Sequence, residues 1–328
     1  MNASHQRGRR ALLQLGLGGA LGLAFRPAAA QAYPTRSVTI IVPFPPGGSD
    51  TLLRLMAPAL QAALGQPVVI DYLTGASGLI GSERVARAPA DGYTLLFAAS
   101  TAVTATVLYK NSRVDMLRDF VPIMNTHEVP QVVIVHPDVK ATSMAELIAL
   151  LKARPDSIAY GSAGNGSTQH LNGELIKAAA GIKMLHVPFK GIGPMLAEIL
   201  AGRVPVATTT ITQAQSYIAA GKLRALAVLD SKRSPYLNGV PAITETLPGF
   251  SQSDSWSCIL APAGTPTSVR DRVLQALRQT LENRDVRSAF TQNFAYITAL
   301  GPKETEERIR AELERTRNVM KIAGIEAE

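Results

Sequence analysis

Short runs rich in β-branched and apolar residues alternate with stretches of helical spacing along most of this chain, and that alternation constrains the fold more than any other feature. The strand-like runs are Val38 to Val42, Val68 to Asp71, Thr94 to Ala98, Val132 to Val135, Ile158 to Tyr160, Val204 to Thr208 and Leu226 to Leu229. Between them, Thr51 to Leu64, Ile80 to Arg87, Met144 to Ala153, Thr168 to Ala180 and Pro194 to Ala201 carry apolar residues at helical intervals. Such a pattern predicts an α/β protein with doubly wound, parallel sheets, whose ligands sit at the carboxyl ends of the strands. Ser143 with Glu146 three residues on predicts a capping box. Thr265-Pro266 predicts a helix with proline at its first position, and charged helical segments follow to the end of the chain.

The first 32 residues read as a leader. Arg7, Arg9 and Arg10 precede the uncharged, mostly apolar stretch Ala11 to Phe25, and Ala30-Gln31-Ala32 offers a small-residue cleavage site, so a secretory signal peptide over residues 1–32 is expected. Arg9-Arg10 is compatible with twin-arginine export as well as with the general route. The mature protein, from Tyr33, is expected in the periplasm. No later segment reaches the roughly 18 apolar residues that a membrane helix needs.

A formal net charge of +8 suggests nucleic acid at first sight. Arg7, Arg9, Arg10 and Arg26 all lie in the leader, however, and no acid does, which leaves +4 on the mature chain. The remaining basic residues are dispersed or interleaved with acids, as in Glu304 to Arg317, so nucleic acid is not expected as a partner. Cys258 is the single cysteine, so no internal disulfide can form and the fold must rest on its core.

Two glycine-rich junctions stand between a strand and a helix. In Val42 to Asp50, VPFPPGGSD, Gly47 and Gly48 carry no Cβ and permit close backbone approach, while Ser49 or Asp50 can cap the helix that follows. In Tyr160 to Leu171, YGSAGNGSTQHL, three glycines and two hydroxyls precede a helix. Free backbone N–H groups and the positive end of a helix dipole favour an anion at both places. Neither is a nucleotide motif: a Walker Gly-Lys-Ser/Thr ending is missing, and Gln169 stands where a dinucleotide fingerprint needs its third glycine. Two such junctions suit a two-lobed clamp on one small anion.

The motifs VPFPPGGSD, GASGLIGSERVARAPADGYTLLFA from Gly75, YGSAGNGSTQHLNGEL from Tyr160, LHVPFKG from Leu185, AAGKLRALAV ending at Val228 and LAPAGTP from Leu260 occur in order. Together they resemble the Bug family of periplasmic solute-binding proteins associated with tripartite tricarboxylate transporters. The resemblance implies a two-lobed, type II-like Venus-flytrap protein with no catalytic activity, no cofactor and no metal, expected to be a monomer. It implies a small carboxylate as ligand, and transporter subunits or a membrane sensor as partners. The implied lobes are 33–132 with 254–328, and 133–253. Implied ligand contacts are Gly47, Gly48, Ser49, Ser100 and Thr101 from the first lobe, and Ser162, Gly166, Ser167, Thr168 and His170 from the second, with Thr208 and Thr209 on the strand after them. His170 has a plainer reading as a side chain that holds its own loop by a local hydrogen bond.

Two departures from the family pattern bear on the ligand. A single residue, Ser49, separates the glycine pair from Asp50 where the family usually has two. The family commonly carries an aspartate near Val204 to Ala214, whereas this chain reads Ala207-Thr208-Thr209-Thr210-Ile211-Thr212. An amino-acid ligand needs a partner for its ammonium group, so the missing acid favours an aromatic or aliphatic mono- or diacid; alternatively, the threonines only cap the next helix.

An exported enzyme is the rival class. The chain has no G-x-S-x-G elbow and no H-E-x-x-H, and its five histidines never fall at metal-ligand spacing. Ser167 and His170, three apart at a helix start, more simply share capping.

Overall fold

The computed structural model describes residues 33–48, 50–250 and 255–327. The expected leader and Ser49 therefore lie outside the described residues. In chain order the first half gives β1 (Val38–Val42), α1 (Asp50–Leu64), β2 (Val68–Tyr72), α2 (Leu79–Ala86), β3 (Thr94–Ala99), α3 (Ser100–Leu108), β4 (Phe120–Val129), β5 (Gln131–Val135) and α4 (Met144–Ala153). The second half gives β6 (Ala159–Ser162), α5 (Thr168–Ala180), β7 (Leu185–Pro188), α6 (Ile192–Leu200), β8 (Val206–Thr210), α7 (Ile211–Ala219) and β9 (Arg224–Val228). It closes with β10 (Ser255–Pro262), α8 (Thr267–Glu282), α9 (Arg284–Gln292), β11 (Tyr296–Leu300) and α10 (Pro302–Ala323).

These strands form two sheets, ordered β11-β4-β10-β3-β1-β2 and β7-β6-β8-β5-β9. The expectation of parallel sheets holds for only part of each. β1 pairs in parallel with β2 and β3, and β6 with β7 and β8, but β10 runs antiparallel to β3 and β4, and β5 antiparallel to β8 and β9. The reason is topological. β4 and β5 are separated by Pro130 alone, so one nearly continuous extended segment leaves the first sheet and enters the second without a crossover helix. That passage falls before the expected boundary at Val132, since Gln131 and Val132 already pair with Thr210 and Thr209 of β8.

β5 also shows why its sequence is apolar from Val132 to Val135. Val133 and Val135 enter a core with Met144, Leu147 and Ile176, while Val132 and Ile134 enter the opposite core with Met195, Ile199 and Ile211. A strand covered on both faces loses the polar alternation of a half-exposed one. In the first sheet, Leu96, Ala98, Cys258 and Leu260 pack with Ala102, Val103 and Ile309. Cys258 is buried and free.

Local signals were realised with two adjustments. The Ser143 hydroxyl accepts from the Glu146 N–H at 3.2 Å, but the Glu146 carboxylate takes the Thr142 N–H and hydroxyl, so the capping box reaches back one residue further than expected. Pro266 is the N-cap of α8 and not its first helical residue. Among the described residues no helix is long and apolar enough to cross a membrane.

Candidate functional site

β3 and β8 run directly into α3 and α7, and β1 and β6 lead through short loops into α1 and α5. Contacts among these openings join them. The Ser100 and Thr168 hydroxyls lie 3.1 Å apart, linking the first turns of α3 and α5. Thr208 of β8 donates to the Gln169 carbonyl at 3.3 Å, and Gln213 of α7 reaches the Gly47 carbonyl at 3.4 Å. Helix openings carry unpaired N–H groups and the positive ends of macrodipoles, so their grouping makes a region suited to negative charge.

The glycine pair is organised differently from its sequence reading. The N–H groups of Gly47 and Gly48 both donate to Asp50 Oδ1, at 2.8 and 2.9 Å. Asp50 Oδ2 accepts from the Tyr72 hydroxyl at 2.8 Å and pairs with Arg54 Nε at 3.3 Å. The carboxylate of Asp50 is fully buried. It therefore serves as the internal anion of the turn, and the two amides expected to face a ligand are engaged by it. Burial and then the neighbouring Asp50 raise the Tyr72 pKa, which keeps the phenol protonated as a donor. Gly47 has φ of +94°, a conformation that favours glycine; Gly48 does not, and no atom lies within 4 Å of where its Cβ would stand.

In the second junction most expected residues hold the loop from inside. Ser162 Oγ accepts from the Gly164 N–H at 3.1 Å and lies 2.6 Å from His186 Nε2. Ser167 is the N-cap of α5, its hydroxyl accepting from the His170 N–H at 3.2 Å, as the capping reading of this pair anticipated. His170 Nδ1 accepts the Gly166 N–H at 3.1 Å, which is the plainer of its two readings. The His170 ring stacks on His186 at 4.0 Å, and His186 stacks on Tyr160 at 4.9 Å. Behind them Glu174 accepts from the Tyr160 hydroxyl at 2.6 Å and pairs with Lys177 at 2.7 Å. Burial, with His170 and Lys177 beside it, depresses the His186 pKa to about 3, so the ring is neutral where it meets Ser162.

The Thr101 carbonyl lies 3.0 Å from the Thr104 hydroxyl, whose single proton has its shorter contact with the Gly166 carbonyl at 2.8 Å. At the end of β8, Thr210 occupies the N-cap position of α7 without a side-chain cap bond. Thr209 is fully buried, and its hydroxyl has no hydrogen-bond partner among the described residues. A buried hydroxyl without a partner costs free energy, and a site that receives a polar ligand is one place where proteins keep one. Among the described residues no group of histidine, cysteine or carboxylate side chains could hold a metal ion. A cavity of about 190 Å³ at the C-terminal end of α3 is lined by Leu108, Tyr109, Ile325 and Glu326 together with Asn165 and His170 of the second junction.

Tyr72, Thr104, His186 and Gln213 were not singled out from the sequence, and Asp50 was named there only as a possible cap of the helix. Asp50 had a legible signal, an acid one residue beyond a glycine pair; His186 and Gln213 carry none that distinguishes them from any loop or helix residue.

Comparison with known proteins fits this architecture. A model of the family described as tripartite tricarboxylate transporter family receptor, TctC, matches residues 52–325. Protein BugT of Bordetella pertussis is 36% identical over 302 residues, covering 91% of this chain and 92% of that protein. Among solved structures, R. palustris Rpa4515 with adipate superposes with a TM-score of 0.84 at 35% identity, covering 90% of this chain and 99% of that one. The periplasmic binding protein BugD superposes with a TM-score of 0.83 at 31% identity, covering 90% of this chain and 100% of that one. The match over most of its length, on a fold of two mixed sheets whose strand ends group four helix openings, means that the chain belongs to the TctC family of tripartite tricarboxylate transporter receptors.

Proposed function

We propose that this receptor captures a small carboxylate without an ammonium group, an aliphatic diacid foremost, between the openings of α1 and α3 on one side and α5 and α7 on the other. The observation that carries this reading is the joined group of four helix openings, with Ser100 beside Thr168 and with three threonines but no acid at the end of β8. Helix openings and hydroxyls favour a carboxylate. The buried acids nearby offer little to an ammonium group: Asp50 is engaged by two amides, Tyr72 and Arg54, and Glu174 by Tyr160 and Lys177. The adipate named with Rpa4515 supports the same class.

On this reading residues 33–130 and 255–328 make one lobe and 131–250 the body of the other, with the passage at Pro130 as one hinge. The leader directs export, and a membrane transporter takes the ligand onward.

A thermal-shift comparison tests the proposal. Adipate at 100 times its dissociation constant should add about 2.7 kcal/mol of stability, while adipamide should add none. Stabilisation by neutral sugars and not by any carboxylate would overturn it.

A further inference from the structure

Ser100, Thr104 and Leu108 recur every fourth residue of α3 and so share one face of that helix. The other face, with Ala102, Val103 and Ala105, is packed into the core of the first sheet. Each member of the stripe meets the segment that leads from β6 of the second sheet into α5: Ser100 its first helical residue, Thr104 and Leu108 the loop before it. The Ser100 hydroxyl is 3.1 Å from that of Thr168, and the Thr104 hydroxyl donates to the Gly166 carbonyl at 2.8 Å, both contacts buried. Leu108 lies so close over Gly166 that a Cβ there would stand 2.3 Å from its Cδ1. Gly166 is thus held from two sides, its carbonyl by Thr104 and its N–H by His170.

We propose that this stripe is the latch that fixes how closely the two sheets approach, and that Thr104 is a positioning residue for ligand capture. Thr104 lies a full turn inside α3 and acts through the Gly166 loop, which leaves Ser100 at the helix opening to face the bound group. The absence of a side chain at Gly166 has its reason in the same contact. Glycine there leaves room for the Leu108 side chain against the loop backbone, where a Cβ would force that side chain to move. The proposal rests on the carboxylate-capture reading for its effect on affinity, but its effect on the separation of the sheets is independent of any ligand.

The test follows the distance between spin labels at Ala62→Cys on α1 and Lys152→Cys on α4, both exposed positions, while the buried Cys258 stays unlabelled. Thr104→Val keeps the volume and removes the hydroxyl; Thr104→Ser keeps the hydroxyl. Relative to the parent, Thr104→Val should shift the distance distribution to longer values and weaken adipate binding by about two- to tenfold, the range of one neutral hydrogen bond. Thr104→Ser should restore both. If Thr104→Val folds poorly, Thr104→Ala gives the same readout. A distance distribution unchanged in the valine or alanine variant would overturn the latch. Failure of adipate to bind the parent would count against the carboxylate reading alone, because the distances without ligand still decide the latch.

Discussion

Asp50 Oδ1 stands 2.9 Å from the Gly48 amide nitrogen, so the turn that opens α1 closes on a carboxylate of its own chain. Removing that carboxylate takes away a charged acceptor shared by Gly47, Gly48, Tyr72 and Arg54. Hydrogen bonds to charged groups contribute about 1.5 to 3 kcal/mol each, and part of this is recovered by solvent around the half-exposed Arg54. Asp50→Ala is expected to cost about 3 kcal/mol in urea denaturation, and Asp50→Asn, which keeps one acceptor for the amides, clearly less. Equal stability of all three proteins would show that the carboxylate does not organise the turn.

The two glycines of that turn should respond differently. Gly48→Val meets open space and an ordinary backbone conformation, so stability should stay within about 1 kcal/mol of the parent. Gly47→Val forces a β-branched residue to φ of +94° and should cost more. If the turn faces the ligand, calorimetric titration of folded Gly48→Val with adipate should show most of the affinity gone. Parent-like affinity would remove Gly48 from the site.

Gly166→Ala combines two penalties, a backbone at φ of +71° and a side chain in the space of Leu108. Gly221 has nearly the same backbone, φ of +67°, with nothing within 4 Å of its Cβ position, so Gly221→Ala measures the backbone penalty alone. Gly166→Ala should therefore be the more damaging by denaturation, and adding Leu108→Ala should make the pair less destabilising than the sum of its members. Strict additivity would mean that the two residues do not share this space.

Acid should weaken the fold before the carboxylates titrate. Burial holds His186 at about 3, and burial with Arg308 nearby holds His127 at about 3, against an ordinary value of 6.5. A folded-state pKa below the unfolded one means that the unfolded chain binds more protons between the two values. Stability is therefore greatest above pH 6.5 and falls as pH drops toward 3, by up to about 1.4 kcal/mol per pH unit for each ring. Denaturation curves between pH 7 and 5, with imidazole shifts followed by NMR, would check this; flat stability, or either ring titrating near 6.5, would contradict it.

How much of this was legible beforehand follows from the range of each interaction. The helices Met144–Ala153 and Thr168–Ala180 were read to the residue because capping and apolar spacing act within a few positions. β1, β2 and β5 were legible as apolar runs, and the Ser167–His170 capping as a three-residue interval. β4, β7 and β11 were not anticipated as strands. β7 has no buried residue to mark it, and β11 pairs only at the sheet edge, so neither carries the apolar run of a central strand.

The sequence by itself therefore determined the α/β class, the two glycine-rich junctions and the family resemblance, all of which reside in local pattern and ordered motifs. The antiparallel course of β5 and β10, the engagement of the Gly47 and Gly48 amides by Asp50, and the meeting of Thr104 with Gly166 were decided only in tertiary structure. Thr104 and Gly166 are separated by 62 positions, and hydrogen bonds between such residues depend on where two sheets come to rest, which no local propensity encodes.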